Sequence, residues 1–379
     1  MTPLLYFDHA ATTKICDEAR AAMIDSMEKT YGNPSSLHPL GKQAAEQLRE
    51  DRAAVANALG CAPGEVYFTS GGTEADNWAI LAALKLGRRY GKHIITTQIE
   101  HAAVLEPLRQ LSQQGYEVTF LPPQKDGTIA LSDLERALRP DTVLCSMMLV
   151  NNETGIELPV REAAKLIHES KSPCLLHTDA VQGFLKVPFT PQALGVDFLT
   201  VSGHKVEGPR GVGALYVKNG IRMPPFLYGG GQEEGLRPGT EPTPLIAGFA
   251  AACTKGAKAQ EENMAYLLEL KNYAVYQLER HIPDIVRITE GTAPHILCLA
   301  WPGYKSEVLV RVLGDLGVCV SAGSACHRGK ASHVYAALKI PPAWRDGAFR
   351  VSFSHSNTKE EVDLFISALQ RAAEMLISV

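Results

Sequence analysis

Residues 197–205 have the sequence Asp-Phe-Leu-Thr-Val-Ser-Gly-His-Lys, an apolar run of strand length that ends in a glycine turn and a lysine. A short run that is apolar on both faces is typical of a strand buried inside a sheet. Comparable runs lie at residues 66–68, 93–97, 117–121, 143–150, 173–177 and 213–217. Helical patterns separate several of them, as at residues 43–59, 74–86 and 160–170. Buried strands that alternate with helices predict an α/β domain with a mainly parallel central sheet.

The chain beyond this domain has a different pattern. Residues 229–244 are rich in Gly and Pro and predict a loop, and residues 245–281 are helical by pattern and contain the predicted domain boundary. The remainder mixes short strands (296–300, 349–353) with helices (306–316, 360–377). We therefore expect a large α/β domain over residues 16–250 and a smaller α+β domain formed by residues 1–15 with 251–379.

Composition excludes several classes of function. The 379 residues include 37 basic and 41 acidic side chains, a net charge of −4, which argues against a broad nucleic-acid-binding face. No apolar run reaches the ~18 residues of a membrane span. The first eight residues lack a basic segment and a long apolar segment, so no secretory signal is visible and the predicted location is the cytoplasm.

Eight cysteines occur, at positions 16, 61, 145, 174, 253, 298, 319 and 326, and none forms a CxxC pair. They predict reduced and mostly buried thiols, with Cys319, between two valines, in the core. Cys326 differs because His327 and Arg328 follow it, and nearby cations lower the pKa of a thiol. The alternative is a loop cysteine of no consequence. Cys326 and His327 also resemble a metal pair, but too few plausible ligands surround them, and no metal site is predicted.

Three further motifs carry chemistry. Ser70-Gly-Gly-Thr73 leads from a strand into a helix, where free N–H groups favour an anion such as phosphate; a capping box of Thr73 with Asp76 is the alternative. Asp179 directly follows a strand and could hold a proton on a heterocyclic nitrogen, or cap a helix. Lys205 ends a strand in a glycine turn, and a partly desolvated lysine can form a Schiff base. Together these groups form the set that pyridoxal phosphate (PLP) requires.

The chain resembles cysteine desulfurases of the NifS/IscS type, in the class V aminotransferase group of fold-type I PLP enzymes, which have the aspartate-aminotransferase-like fold. The resemblance runs nearly end to end. Its motifs lie at residues 6–13, 31–36, 69–77, 100–101, 150–155, 202–205, 229–233, 237–240, 323–326 and 349–353.

The resemblance implies a PLP site. Lys205 would hold PLP as a Schiff base and move protons at the substrate Cα, and Asp179 would pair with the pyridinium nitrogen. His101 would stack on the ring and manage the thiol proton, and Gln182 would contact the phenolic oxygen. The residues implied for the phosphate are Gly72, Thr73, Ser202 and His204. Thr240 would reach the phosphate in the neighbouring subunit, which implies a homodimer.

The resemblance also implies the substrate contacts. Asn152 and Arg350 would bind L-cysteine, with Arg350 on its carboxylate, and Cys326 would accept the sulfur. Four of the assigned residues have plain structural alternatives: a core histidine for His101, a turn former for Asn152 and for Thr240, and an ion-pair partner for Arg350.

The implied reaction converts L-cysteine to L-alanine and leaves a persulfide on Cys326. The sulfur would then pass to an acceptor protein, either an iron–sulfur scaffold or a thiolation enzyme. The chain departs from many relatives in the basic stretch after Cys326, which could bias the partner or tune the thiolate. The 24 residues from Cys326 to Arg350 resemble the group with a longer cysteine loop. The alternatives are a selenocysteine lyase or another PLP-dependent Cβ-eliminating enzyme, a transaminase, and a non-catalytic sulfur-transfer subunit.

Overall fold

The computed structural model describes residues 4–322 and 332–376. Cys326, His327 and Arg328 lie outside the described residues. The strands, in chain order, are β1 (Leu5–Tyr6), β2 (Val66–Thr69), β3 (His93–Thr97), β4 (Glu117–Leu121), β5 (Thr142–Ser146), β6 (Leu175–Asp179), β7 (Phe198–Ser202), β8 (Gly213–Val217), β9 (Val286–Arg287), β10 (Ile296–Ala300), β11 (Val318–Cys319), β12 (Ser321–Ala322) and β13 (Ala348–Ser352).

Helices connect most of these strands. The α-helices are α1 (Asp17–Glu28), α2 (Pro39–Leu59), α3 (Gly72–Gly87), α4 (Ala102–Gln113), α5 (Leu131–Ala137), α6 (Val160–Glu169), α7 (Pro191–Leu194), α8 (Thr243–Lys258), α9 (Gln260–His281), α10 (Ser306–Asp315), α11 (His333–Ala337), α12 (Pro342–Asp346) and α13 (Lys359–Met375). Short 3-10 turns occur at Pro63–Glu65, Gly203–Lys205 and Gln232–Gly235. Within the described ranges, no helix combines the length and apolarity needed to cross a bilayer.

The central sheet confirms the predicted α/β architecture. Across residues 4–322 its strand order is β2-β8-β7-β6-β5-β3-β4. The neighbours from β7 through β6, β5 and β3 to β4 pair in parallel, whereas β8 runs antiparallel to both β7 and β2. Every residue of β3, β5, β7 and β8 is buried, as expected for strands covered on both faces. The parallel strands therefore bring their carboxyl ends to one edge, where such sheets bind ligands.

A second, antiparallel sheet contains β12, β13, β10 and β9 in that order, and β1 pairs in parallel with β11 beside it. Its core contains Phe7, Phe353 and Phe365, whose ring centroids lie 5.4 to 5.9 Å apart around Phe7. The predicted boundary at residue 250 falls inside α8, which packs on α1 and α2. The division of the chain into residues 16–250 and 1–15 with 251–379 stays a prediction.

Several element boundaries differ from the sequence pattern. The helical stretch 245–281 is two helices, α8 and α9, which meet at Ala259. The apolar run 143–150 outlasts β5, which ends at Ser146, because the four residues that follow are also buried. An apolar run reports burial rather than strand pairing, so it extends past the ladder. The run 173–177 is likewise displaced, since β6 covers Leu175–Asp179.

Two local interpretations are wrong. Helix α3 begins at Gly72 with Gly71 as its N-cap and no side-chain cap, so Thr73 lies inside the helix and does not form a capping box with Asp76. Cys319 is only half-buried, because side chains alternate along a strand and those of Val318 and Val320 take the buried face. Buried positions are confirmed for Cys16, Cys145, Cys174, Cys253 and Cys298.

Candidate active site

A cavity of about 380 Å³ lies at the carboxyl ends of β6 and β7 and the N-terminus of α3. It brings together residues from distant parts of the chain. The predicted site residues that line it are Gly72, Thr73, His101, Asn152, Asp179, Gln182, Ser202, His204, Lys205 and Arg350. The structure therefore places these ten residues around one cavity, and their roles stay predictions.

Lys205 lies on the 3-10 turn that follows β7. Its Nζ donates hydrogen bonds of 2.7 Å to the carbonyl oxygens of Ala10 and Ala11. The N-terminal segment thus forms one wall of the cavity and orients the lysine amine. No feature of the sequence pattern around Lys205 indicates this contact, since the partners are about 195 residues apart in the chain.

Asp179 is the last residue of β6 and is buried. Burial, and then the neighbouring Asp76 carboxyl, raise the pKa of Asp179 to about 7. Its Oδ1 accepts a hydrogen bond of 2.9 Å from the Val181 N–H, so it caps a turn rather than a helix. A buried carboxyl with a raised pKa at a cavity wall is suited to a cationic partner that would lower this pKa.

Asp76, on α3, is a site residue that sequence reasoning missed. It lines the cavity, is 1% exposed, and burial raises its pKa to about 7. Its Oδ1 lies 3.4 Å from His177 Nε2, and that ring also contacts Ser146 and Thr200. The available signal was spacing, because Asp76 follows Gly72 by four residues and so shares its face of the helix.

The end of α3 forms an anion cradle. Gly71 has φ of 150°, a region that favours glycine, and it leads into the free N–H groups of the first helical turn. Gly213 on β8 lies behind it, where a Cβ would come within 2.6 Å of the Val201 oxygen and 2.9 Å of Gly71 Cα. Burial lowers the pKa of the nearby His204 to about 4, so its ring is neutral at pH 7 and contacts Thr12 through Nδ1 at 3.2 Å.

Arg350 projects from β13 into the other side of the cavity. Its Nη1 donates to the Asn152 carbonyl oxygen at 2.6 Å, and its Nη2 donates to Asp8 Oδ1 at 2.9 Å. Arg350 therefore does form an ion pair, as the structural alternative proposed. Its side chain also lines the cavity. The turn-forming alternative for Asn152 fits its neighbour better, because Asn151 Oδ1 accepts from Glu153 and Thr154.

His101 and Gln182 are held by hydrogen bonds. His101 is half-buried at the N-cap of α4, where its Nδ1 accepts from the Ala103 N–H at 3.2 Å, so it is not a core histidine. The buried Gln182 donates through Nε2 to the Ala10 oxygen at 2.9 Å, and its Oε1 lies 3.4 Å from His295 Nε2. The Gln182 amide therefore belongs to the same N-terminal wall as Lys205.

Thr240 does not line the cavity. Thr240 is exposed in the loop between the turn Gln232–Gly235 and α8. The loop is anchored by Arg52, whose guanidinium binds both oxygens of the buried Glu233, at 2.5 and 2.8 Å. Arg237 binds Glu74 at 2.7 Å in the same region. Cys326 lies outside the described residues.

Charge and shape together define what the cavity can do. A helix N-terminus offers an anion site at one end, a buried carboxyl lies in the middle, and an arginine offers a carboxylate site at the other end. The amine of Lys205 stands between them. This arrangement suits a phosphate-bearing, protonated heterocycle with an amino-acid carboxylate beside it.

Comparisons with known proteins agree with this arrangement. The family model described as aminotransferase class-V matches residues 5–365. The cysteine desulfurase IscS of Methanosarcina thermophila is 37% identical over 98% of this chain and 92% of that protein. A NifS/IcsS protein homolog of Lactobacillus delbrueckii subsp. bulgaricus is 40% identical over 96% of each chain.

Solved structures give the same result. A NifS-like protein has a TM-score of 0.93 and 34% identity, with 98% of this chain and 100% of that chain covered. A cysteine desulfurase from Thermococcus onnurineus NA1 has a TM-score of 0.87 and 25% identity, with 98% and 95% covered. The chain therefore belongs to the class V aminotransferase family, among its cysteine desulfurases of the IscS/NifS type.

Proposed function

We propose that this protein is a PLP-dependent cysteine desulfurase that converts L-cysteine to L-alanine and carries the sulfur as a persulfide on Cys326. The observation that supports it most is the single cavity in which Lys205, Asp179 and Arg350 face one another. An amine, a buried carboxyl and a carboxylate-binding arginine are the groups that this chemistry needs.

The residues present fit PLP on structural grounds. Asp76 and Asp179 both line the cavity, burial raises the pKa of each carboxyl to about 7, and a protonated ring nitrogen would add a positive charge beside Asp179. The phosphate cradle is narrow, since a Cβ at Gly72 would come within 3.0 Å of Val181 Cγ2. Thr73, Ser202 and His204 line the same end.

Bound PLP supplies an electron sink for the carbanion that forms at the substrate Cα. Lys205 removes and returns the proton at that carbon, since its amine already points into the cavity from the end of β7. Asp179 holds the proton on the ring nitrogen. Arg350 binds the substrate carboxylate, with Asp8 and the Asn152 carbonyl fixing its orientation. His101 and Gln182 line the same cavity. His101 would stack on the ring of the bound cofactor, and Gln182 would contact its phenolic oxygen.

Sulfur transfer requires a thiolate. The Cys326 sulfur would attack the substrate Sγ, so that an S–S bond forms and the Cβ–S bond breaks. The electron pair of that bond goes to Cβ, which takes a proton and becomes the methyl group of alanine. Among the described cysteines, burial raises the pKa of Cys61, Cys145 and Cys298 to about 12, so these thiols are poor nucleophiles.

A homodimer is part of the proposal. Thr240 is exposed and outside its own cavity, as expected if it contacts the cofactor phosphate of the neighbouring subunit. Exposed apolar side chains are concentrated in one stretch of α1, α2 and the connection between them, and such groups mark interaction surfaces. They are Ile24, Met27, Tyr31, Leu37 and Leu40. A sulfur-acceptor protein and the cytoplasmic location that the sequence predicts complete the proposal.

The test is to incubate the purified holoenzyme with L-cysteine and to map its mass without reductant. We expect a sulfur-atom increase on Cys326 together with release of alanine. Cys326→Ser should lose the persulfide, whereas the matched Cys319→Ser should keep it, because Cys319 is half-buried with a pKa raised by burial. Lys205→Ala should lose the borohydride-reducible absorbance of the bound cofactor.

Other outcomes would redirect the assignment. Alanine release without a persulfide would show that Cys326 does not accept the sulfur. A catalytic efficiency far higher on selenocysteine than on cysteine would identify a selenocysteine lyase. Exchange of amino groups between alanine and a keto acid, without sulfur release, would identify a transaminase.

A further inference from the structure

A second cavity, of about 230 Å³, adjoins the one described above, and Lys205 lines both. The second cavity is otherwise built by the N-terminal segment, the stretch after β6, the helices α8 and α9, and the end of β13. Its apolar walls include Leu185, Ala252 and Phe353.

Two side chains with buried polar atoms, Lys186 and His9, line this cavity. The Nζ of Lys186 is buried and has no hydrogen-bond partner within residues 4–322 and 332–376. His9 is 6% exposed and lies against the Tyr6 ring, with the Tyr6 backbone as its polar neighbour. Buried polar groups are almost always satisfied by protein, ligand or ordered water, so the Lys186 amine can bind a polar ligand from this cavity.

The charge balance favours an anion. The carboxylate that lines the cavity, Glu207, is already bound by His355 at 2.8 Å and by Lys255 at 3.1 Å. These contacts outweigh its burial and hold the pKa of Glu207 at about 2. Glu207 therefore favours the charged form of Lys186 from a distance but forms no ion pair with it.

We propose that this second cavity binds a short-chain carboxylate, whose head is held by Lys186 and His9 and whose tail lies against Leu185 and Phe353. An amino acid fits less well, because its ammonium group would find Glu207 already engaged. The volume suits a few carbon atoms, since a water molecule occupies about 30 Å³ of liquid. The inference does not rest on the proposed reaction, because the ligand does not touch Arg350 or the phosphate cradle.

Binding should depend on pH through Lys186. Burial, and then Lys205, lower the pKa of Lys186 to about 7, and burial lowers the pKa of His9 to about 4. The ammonium form of Lys186, which attracts the anion, is therefore gained as pH falls through 7. The charged and titratable groups around Lys186 and His9 are Lys205, Glu207, Lys255, Arg350, His204, His295 and His355.

The experiment is a calorimetric titration of the holoenzyme with sodium propionate at pH 6.5 and pH 8.5. We expect saturable binding that is on the order of tenfold tighter at the lower pH, since the protonated fraction of a group with pKa near 7 changes by at least that factor. Lys186→Met should abolish it, whereas Lys258→Met, an exposed position on α8, should leave it unchanged.

Two further variants remove ambiguity. Ala252→Leu fills the cavity without changing any charge and should also abolish binding, which covers the case in which Lys186→Met does not fold. Arg350→Met tests whether propionate binds in the first cavity instead. Loss of binding with Arg350→Met but not with Lys186→Met, no saturable binding at either pH, or equal affinity at both would overturn the proposal. Failure of desulfuration would leave these titrations unaffected.

Discussion

Asp8 and Arg350 form an ion pair of 2.9 Å across 342 residues of sequence, at the wall of the proposed substrate site. The Arg350 side chain is 6% exposed and that of Asp8 is 20% exposed, so the pair is largely shielded from solvent. The second contact of the guanidinium, to the Asn152 oxygen, fixes its plane. The carboxylate-binding group is thus oriented before substrate arrives.

Asp8→Asn should therefore raise the KM for L-cysteine by roughly tenfold with a smaller change in kcat, because about 1.4 kcal/mol of lost orientation corresponds to a factor of ten. Steady-state kinetics would measure both constants. Asp17→Asn, which breaks an exposed pair with Arg20, is the matched control and should change neither. An unchanged KM in Asp8→Asn would contradict the orienting role of Asp8, and a lower KM would mean that Asp8 competes with the substrate for Arg350.

Glu100 should make the protein less stable as pH rises. Burial raises its pKa to about 8, while its unfolded value is about 4.3, so the folded state holds a proton that the unfolded state has released. Stability from this group is complete below the unfolded pKa and is lost as pH rises through the folded one. Glu100→Gln should flatten the dependence of Tm on pH between 5.5 and 8.5.

Thermal unfolding at several pH values would measure this effect. Glu106→Gln, at an exposed position on α4, should keep the wild-type slope. Asp76, Glu153 and Asp179, whose pKa values desolvation raises to about 7, leave part of the slope in Glu100→Gln. An undiminished slope would show that Glu100 is already ionised in the folded protein.

Arg52→Met should destabilise the fold, because it leaves the carboxylate of Glu233 buried and without its cation. Breaking a buried pair in this way costs about 3 kcal/mol. The free energy of unfolding in urea would measure it, with Lys29→Met as control, since Lys29 pairs with Asp25 on the surface and should contribute less than about 1 kcal/mol. Equal effects of the two changes would contradict the buried-pair interpretation.

Gly213→Ala should weaken PLP binding. Its Cβ would contact the Val201 oxygen and Gly71 Cα, both of them backbone atoms, so the loop before α3 must shift. Overpacking of this kind costs about 1–3 kcal/mol, and we expect the Kd for PLP to rise roughly tenfold or more. Gly64→Ala has no atom within 4 Å and is the control. Equal PLP affinity in the two variants would exclude a fixed cradle.

The local sequence pattern predicted the helices and strands of this protein better than the contacts between distant residues. The end of β7 at Ser202 and the strand position before Asp179 followed from apolar runs and a glycine turn, because these signals lie within a few residues. The start of α3 at Gly72 was missed, since its N-cap, Gly71, offers no side chain to recognise. The stretch 245–281 has one continuous helical pattern, which cannot show the break at Ala259.

In the site, too, local sequence signals did not reveal contacts between distant residues. The motif 6–13 was noticed as a resemblance, yet nothing in it indicates that Asp8 pairs with Arg350 or that Ala10 and Ala11 accept bonds from Lys205. Such contacts depend on the closed tertiary structure, which spacing along the chain does not encode. Asp76 and Lys186 were missed for a related reason, because the importance of each depends on burial in the folded protein.

The N-terminal wall has a consequence for how the protein is made. Phe7 accepts a bond from the Ser352 N–H at 2.7 Å, so the first strand and the last one close the site together. During translation, residues 5–13 leave the ribosome long before their partners have been synthesised. Contacts of such sequence separation form late in folding. Lys205 on a nascent chain therefore lacks its final surroundings, and cofactor loading must await the completed polypeptide.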